Sequence, residues 1–552
     1  MSNQHEESVS TRPLQGMFAP RAIAVIGASA KEGTVGQSVF QNLLFNRYTG
    51  TIYPINPKYK SLLGVRCYSD VKSIGDPEVD LAMIIIPAPV VPGVLRDCGT
   101  AGIRNAVVIS AGFKEVGGEG VKLEEEAKGV AREMGISLLG PNCLGIINTD
   151  PAVSMNASFA RTMPQRGNIG FISQSGALCT AILDYARGNN IGFSKFISFG
   201  NKADINENDL LCFLADDPQT DVILMYIEDL TDGRRFIKIA REITGERHPS
   251  KPILAIKTGR TLEGAGAAAS HTGSLAGTDE VYDAILAQSG VLRVETVEDL
   301  FDYAMAFANR PLPKDNRVAI VTNAGGPGIM TTDACVRYGL RLSQLTSETV
   351  EKLKTKLPPT ANFHNPIDVI GDAQSDRYRV ALEGVLADEG VDGVIVILTP
   401  QNMTDIEAIA GVVWETSQHF PKPVIASFMG LYDVSQGVKV LREHGIPHYP
   451  FPESAARSLA AMYRYTQWTH RPRTVERQFT VDQDRVKAII NRAIEGRRRN
   501  LPEIEAMEVL KAYGFPTLRS SLVRTGEDAV KYAEEIGYPV VLKIVSPDIL
   551  HK

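Results

Sequence analysis

No uninterrupted apolar run in the chain reaches the roughly 18 residues that a membrane-crossing helix needs, so no such helix is expected. The opening stretch MSNQHEESVSTRP is polar and lacks an apolar signal core, and a cytoplasmic location is the expectation. The six cysteines (Cys67, Cys98, Cys143, Cys179, Cys212 and Cys335) contain no CxxC pair, which speaks against a disulfide framework or a zinc site and for reduced thiols. Basic residues are not in excess: 58 Lys and Arg against 64 Asp and Glu leave a net charge of -6, which gives no reason to expect a nucleic-acid partner.

What remains is the composition of an ordinary globular protein, 44% hydrophobic and 22% charged. At 552 residues the chain is too long for one core, and domains of about 150 residues predict three or four. Short β-branched runs alternate with helical patterns over most of the length, which predicts parallel sheets wound with helices, whose ligands sit at the C-terminal strand ends.

The most unusual stretch is GAGAAASHTGSLAGTD, Gly264 to Asp279, where His271 is the one imidazole in a run of small residues. Gly264, Gly266, Gly273 and Gly277 permit backbone conformations that strain larger residues. A helix is expected near Thr278, capped by its hydroxyl or by Asp279. The arrangement suits a nucleophilic histidine that takes up a phosphoryl group and passes it on. The alternative is a surface turn holding an incidental histidine.

The N-terminal part reads as strand, glycine-containing turn and helix in AIAVIGASAKEGTVG, with Gly27, Gly33 and Gly36 letting backbone N–H groups approach a phosphate at the helix N-terminus. The spacing is not GxGxxG. The second strand, TIYPINPK, ends in Lys58 instead of the carboxylate that would hold the ribose of NAD, which disfavours a dehydrogenase and favours a phosphorylated ribose such as that of coenzyme A. Three further strand ends follow, in IIIPAP, VVISAGFKE and LLGPNCLG.

GNIGFISQSGALCTAIL is again a strand, a small-residue turn and a helix, and Ser175 and Gly176 place a hydroxyl and N–H groups at the positive helix end. DVILMYI runs into Glu228 and Asp229, and a carboxylate at a buried strand end requires a partner. Lys257 and Arg260 are expected near the same edge. RVAIVTNAGGPGIMTTDACVRYGL repeats the strand, turn and helix, implying two domains of related topology. In NPIDVIGDAQSDRY, Gly371 and Ala373 could start a second phosphate-facing helix, with Asp372 between them as its cap. RYTQWTHRPRTVERQFTVDQ reads as a linker.

SHTGSLAGTD resembles the phosphohistidine loop of the nucleoside-diphosphate-forming acyl-CoA synthetases, a family that includes ADP-forming acetyl-CoA synthetase and is related to succinyl-CoA synthetase. GASAKEGTVG, YPINPK, IPAP, SAGFKE and GPNCLG resemble its CoA-binding domain, and LPEIEAMEVLKAYGFPT with YPVVLKIVSPDILHK the opening of an ATP-grasp domain. The fold so implied is α/β: a Rossmann-like CoA-binding domain, two flavodoxin-like domains of the succinyl-CoA synthetase type, and the start of an ATP-grasp domain. The corresponding boundaries are a polar tail over 1–16, CoA binding over 17–150, the phosphohistidine domain over 151–312, its partner over 313–463, a linker over 464–482 and the ATP-grasp part over 483–552.

The resemblance also implies residue roles. Gly27, Ala28, Ser29, Gly33, Thr34 and Val35 would contact CoA together with Lys58, Pro87 and Pro89 and the turn Ser110, Ala111 and Gly112. Glu228 would hydrogen-bond the ring of His271, Lys543 would touch ATP phosphates, and His551 would serve as a phosphoryl relay. The implied reaction joins a small carboxylic acid to CoA with ATP, releasing ADP and phosphate. Mg2+ is expected in the complete enzyme, held by no residue of this chain, and so is either an oligomer or completion by a further ATP-grasp segment or subunit. The rival is a regulatory, non-catalytic CoA-binding protein on the same scaffold.

Overall fold

The computed structural model describes residues 13–546 except 262, 265, 267–277, 309–310, 473–478 and 499. The chain divides into two compact units, one through Arg471 and one from Pro472 onward.

In the first unit a five-stranded parallel sheet runs in the order Thr51–Ile55, Ala22–Ile26, Val79–Ile84, Asn105–Val108, Ser137–Leu139. Its central strands are continuous apolar runs because both faces are covered; all five residues of Ala22–Ile26 are buried. The chain winds one way from Ala22–Ile26 to Thr51–Ile55 and the other way through Val79–Ile84, so a switch point opens beyond Ile26 and Ile84. Leu14 is buried and Gln15–Phe18 is a short helix, so residues 14–16, expected in the polar tail, pack with the first domain.

A seven-stranded sheet follows, in the order Leu292–Val294, Ile253–Lys257, Val222–Ile227, Arg166–Ser173, Phe193–Ser198, Gly145–Asn148, Met155–Ser158. The first five strands are parallel and the last two antiparallel. Gly145–Asn148, placed by the sequence inside the first domain, pairs instead with Phe193–Ser198, Ile147 opposite Phe196. All six residues of Phe193–Ser198 are buried, and a buried strand needs a neighbour on each edge to pair its backbone groups. Phe171 stacks on Phe196 at 4.7 Å and meets Phe193 edge-on at 6.2 Å, filling one face.

The third sheet, also parallel, has the order Arg341–Leu342, Arg317–Thr322, Gly393–Leu398, Val424–Phe428, and Ile367–Asp368 pairs with the end of Arg317–Thr322. It is joined to the second by the helix Pro452–His470. Residues 464–470, expected to be linker, are the last turns of that helix. Tyr465 is buried, Thr466 donates to the Pro313 carbonyl at 2.9 Å and Trp468 Nε1 to Thr244 Oγ1 at 3.0 Å. The polar letters of RYTQWTH conceal aromatic residues at helical spacing, which dock as one face.

The second unit contains the helices Gln483–Glu495, Glu503–Ala512 and Gly526–Ile536, with Val486, Ile489 and Ala493 buried on the first. Arg498 and Glu505 form a two-pronged ion pair at 2.8 and 3.1 Å. Among its described residues there is no strand.

Candidate functional site

The strand ends of the first sheet are wired to one another by short hydrogen bonds. Gly27 leaves its strand with φ +95° and donates to Ile55 O at 3.0 Å; a Cβ there would lie 2.1 Å from Ile85 O. The helix Val35–Phe45 begins directly against this turn, since a Cβ on Gly36 would lie 2.1 Å from Gly27 O. Thr34 caps it, accepting from Gln37 N, while the Gly33 N–H goes to Gln37 Oε1 at 3.0 Å and Ser29 Oγ takes the Lys31 N–H. Asn56 reaches across from the second strand to Ala28 O at 2.8 Å and also receives the Lys58 N–H, leaving the Lys58 side chain exposed at the rim. Pro87 and Pro89 are exposed beside the start of the helix Val91–Thr100.

Ser110 binds the neighbouring strand end, its Oγ donating to Ile86 O at 2.5 Å and accepting from Ile86 N at 3.1 Å. Ala111 is exposed, and Gly112, at φ +104°, gives its N–H to Glu115 Oε1 at 2.6 Å. That donor is therefore committed within the protein. Glu115 Oε2 receives Asn201 Nδ2 at 2.6 Å, and Asn201 also serves Glu124, so this turn is locked to the next domain. Sequence reasoning passed over Glu115 and Asn201, whose only signal was polar residues beside glycine turns.

In the second sheet Ser175 caps the helix Gly176–Gly188, accepting from Leu178 N at 3.3 Å. Ser173 Oγ clips the turn by accepting from Ser175 N at 3.1 Å and donating to Ser175 O at 3.0 Å. Gln174 spans to the adjacent strand end. Its Nε2 donates to Asp229 Oδ1 at 2.7 Å, and its Oε1 accepts the N–H groups of Asp229, at 3.2 Å, and of Glu228. The helix end and the Glu228–Asp229 pair are thus one assembly. Behind it Lys202 bridges Asp229 Oδ1, at 2.6 Å, and the fully buried Glu207, at 3.2 Å. Burial is the largest influence on Asp229 and opposes its ionisation, yet Lys202 and Gln174 together hold its carboxyl below the usual value. Asn206 caps the helix Glu207–Asp216, with Asp209 closing a capping box.

His271 lies outside the described residues, but the stems on either side of it are described. Asp279 gathers them, meeting Arg293 at 2.7 Å and Arg260 at 3.6 Å, while Arg260 also pairs with Glu295. The helix Asp279–Gln288 starts where expected after Thr278, although no side-chain capping bond forms; the Asp279 carboxylate is taken by arginine.

The third sheet repeats the clip. Thr322 Oγ1 accepts from Ala324 N at 3.0 Å and donates to Ala324 O at 2.9 Å before the helix Gly325–Arg337. Gly371 and Ala373 do not start a helix: it begins at Ser375, after Gln374. The Ala373 N–H closes a turn on Ile370 O, and Asp372 pairs with Arg377 at 2.6 Å rather than capping. Lys543 pairs with Glu503 at 2.8 Å, and residues 541–546 around it form no strand. His551 lies outside the described residues.

No described helix is long and apolar enough to cross a membrane. Residues 21–149 match the CoA binding domain, 166–307 the succinyl-CoA ligase like flavodoxin domain, 318–472 the ligase-CoA domain and 492–552 the ATP-grasp domain. An ADP-forming 4-hydroxybutyrate–CoA ligase of Nitrosopumilus maritimus is 42% identical over 536 residues, 97% of this chain and 76% of that protein. In Pyrococcus furiosus, the α subunit of ADP-forming acetate–CoA ligase II is 43% identical over 82% of this chain and 97% of its own length. The separate β subunit is 52% identical over 64 residues, 12% of this chain and 27% of its own length. The solved structure of a Ca. Korarchaeum cryptofilum dinucleotide forming acetyl-coenzyme A synthetase, in complex with phosphate and ADP, aligns with a TM-score of 0.78 at 39% identity. The alignment covers 83% of this chain and 98% of that one. These relatives are ligases and do not favour the regulatory alternative: the chain belongs to the ADP-forming acyl-CoA ligase family.

Proposed function

We propose that the chain converts a small carboxylic acid, CoA and ATP into acyl-CoA, ADP and phosphate by carrying a phosphoryl group on His271. The observation that supports this most directly is the Gln174 bridge, which fixes the N-terminus of a thirteen-residue helix beside Glu228. A helix end favours a bound phosphoryl group, and a carboxylate next to it orients an imidazole so that the other ring nitrogen attacks.

ATP gives its γ-phosphoryl group to the enzyme as ADP leaves, and the group passes to the imidazole nitrogen of His271. An oxygen of the acid then attacks the phosphorus, the imidazole departs, and an acyl phosphate forms. The CoA sulfur attacks the acyl carbon and phosphate is expelled. Ser175 and Gly176 hold the phosphoryl group, Glu228 steadies the ring, and the turns at Gly27–Val35, Pro87–Pro89 and Ser110–Gly112 with Lys58 hold CoA. Splitting one condensation into two transfers is the gain of covalent catalysis. In the completed enzyme Mg2+ would screen the charge of the nucleotide phosphates.

The second unit supplies the opening of the ATP-grasp domain, with Lys543 toward ATP phosphates and His551 as relay, and is completed by a further segment or subunit. Its consecutive apolar side chains support that reading, Val541 being 81% and Leu542 75% exposed. Radiolabelled ATP incubated with the completed enzyme should leave acid-labile, base-stable label on the protein. Persistence of the label in His271→Ala removes His271 from the mechanism. A screen of carboxylic acids for CoA-dependent ADP release identifies the substrate.

A further inference from the structure

Lys257 ends the strand Ile253–Lys257 and is only 1% exposed, among the largest side chains that the protein buries completely. Its register partner is Ile227, the residue before Glu228. An ammonium is costly to bury unless a carboxylate meets it. Among the described residues none lies within ion-pair distance of Lys257: its Nζ donates to the Thr258 carbonyl and stands 4.2 Å from the centre of the Tyr282 ring. Burial is the main influence on it and lowers its pKa, with Arg293 adding repulsion and Asp279, Asp229 and Glu228 attracting from farther away.

The other cations of this edge are committed. Lys202 is held by Glu207 and Asp229, Arg293 by Asp279 and Asp283, and Arg260 by Glu295 and Asp279. A lysine serving only to fill space here would be better replaced by a methionine of similar volume, which carries no charge to desolvate. Glu228 and Asp229 follow directly on the adjoining strand, and their carboxylates repel a phosphoryl dianion placed beside them.

We propose that Lys257 is an electrostatic positioning residue for phosphoryl transfer, its uncommitted charge offsetting the negative charge that phosphorylation brings to the Glu228 strand end. The proposal rests on the phosphohistidine reading above. Held between the Thr258 carbonyl and the Tyr282 ring, the ammonium is already in place when that charge arrives, which is how fixed charges lower a barrier. No bond to Lys257 forms or breaks.

The test phosphorylates the full chain from the acyl-CoA side, with radiolabelled phosphate and a mixture of acetyl-CoA, propionyl-CoA and 4-hydroxybutyryl-CoA. Phosphate displaces CoA, and the imidazole takes the phosphoryl group as the free acid leaves. In Lys257→Met and in Lys257→Gln, which keeps a donor for the Thr258 carbonyl, label should form at least about tenfold more slowly at a melting temperature no lower than the parent's, and Lys257→Arg should recover part of the rate. Wild-type labelling in either neutral variant, with His271→Ala blank, overturns the role of Lys257 and leaves the phosphohistidine reading intact. Equal loss in the Met and Arg variants also overturns it, since shape rather than charge would then matter. An unlabelled wild type, or label persisting in His271→Ala, overturns both.

Discussion

Gln174 and Asp229 are joined side chain to side chain, Nε2 donating to Oδ1 at 2.7 Å, so the start of the helix Gly176–Gly188 cannot shift without the neighbouring strand end. Gln174→Ala removes this bond and leaves the Glu228 and Asp229 N–H groups short of their acceptor. A loss of about 1–3 kcal/mol in unfolding free energy is expected from the unsatisfied groups. Phosphoenzyme formation should fall with it; a variant of normal stability and normal labelling would show that the bridge is dispensable.

Glu228→Gln keeps the size of the side chain and removes its charge. Losing the partner that orients a histidine typically costs about 10- to 100-fold, and that is the expected drop in the rate of label formation. The KM for CoA should not move, because the CoA turns belong to another sheet. Single-turnover labelling together with steady-state kinetics separates the two effects.

Lys202→Met strands two acids, the fully buried Glu207 and the half-buried Asp229. Breaking a buried pair by deleting one member costs about 3–5 kcal/mol. Denaturant titration should show this loss, and Glu207→Gln in the same chain should return part of it by removing one of the unpaired charges.

Gly36→Ala places a methyl group 2.1 Å from the Gly27 carbonyl oxygen, which backbone on both sides must move to accommodate. The helix start and the glycine turn should separate, and CoA affinity measured by calorimetry should fall at least about tenfold. Lys58→Ala leaves the backbone alone. It should weaken CoA by up to about 1 kcal/mol, an effect that shrinks as salt rises.

Asp302 is buried where the helix Val297–Ala308 meets Arg457 and Ser454, and burial raises its carboxyl to about 6 from an ordinary 3.8. A group that binds its proton more tightly when folded makes stability fall as pH rises between those values, with the cost complete above about 6. Buried His448 acts oppositely: its pKa drops to about 4, so over the span up to its ordinary 6.5 stability rises with pH. Asp302→Asn should therefore gain up to about 3 kcal/mol near neutral pH, and its stability should climb between pH 4 and 6.5. Arg457 keeps Asp299 at 2.8 Å, so no cation is stranded. Parallel pH curves for the variant and the parent would rule out Asp302 as the source.

Much of this was legible in the chain because it depends on neighbours in sequence. Buried parallel strands announce themselves as apolar runs such as AIAVI and DVILMYI. The repeated strand, turn and helix is real down to its atoms: Ser173 clips Ser175 as Thr322 clips Ala324. The failures share one cause. Gly371 and Ala373 looked like a helix start because glycine near a strand end often is one, but Arg377 holds Asp372 and the Ala373 N–H turns back to Ile370. Residues 464–470 looked like linker because their polar letters hid the face carrying Tyr465 and Trp468.

The sequence by itself determined the family, the order of its domains and the small-residue stretch around His271, since each is a matter of local pattern and spacing. Only the tertiary structure decided which donors and charges find a partner. Gly112 is committed to Glu115, Lys202 to Glu207 and Asp229, and Lys257 to no described carboxylate. Those partners come from different strands and loops, and an ion pair or a desolvated ammonium exists only once the chain has brought them within a few ångströms of each other.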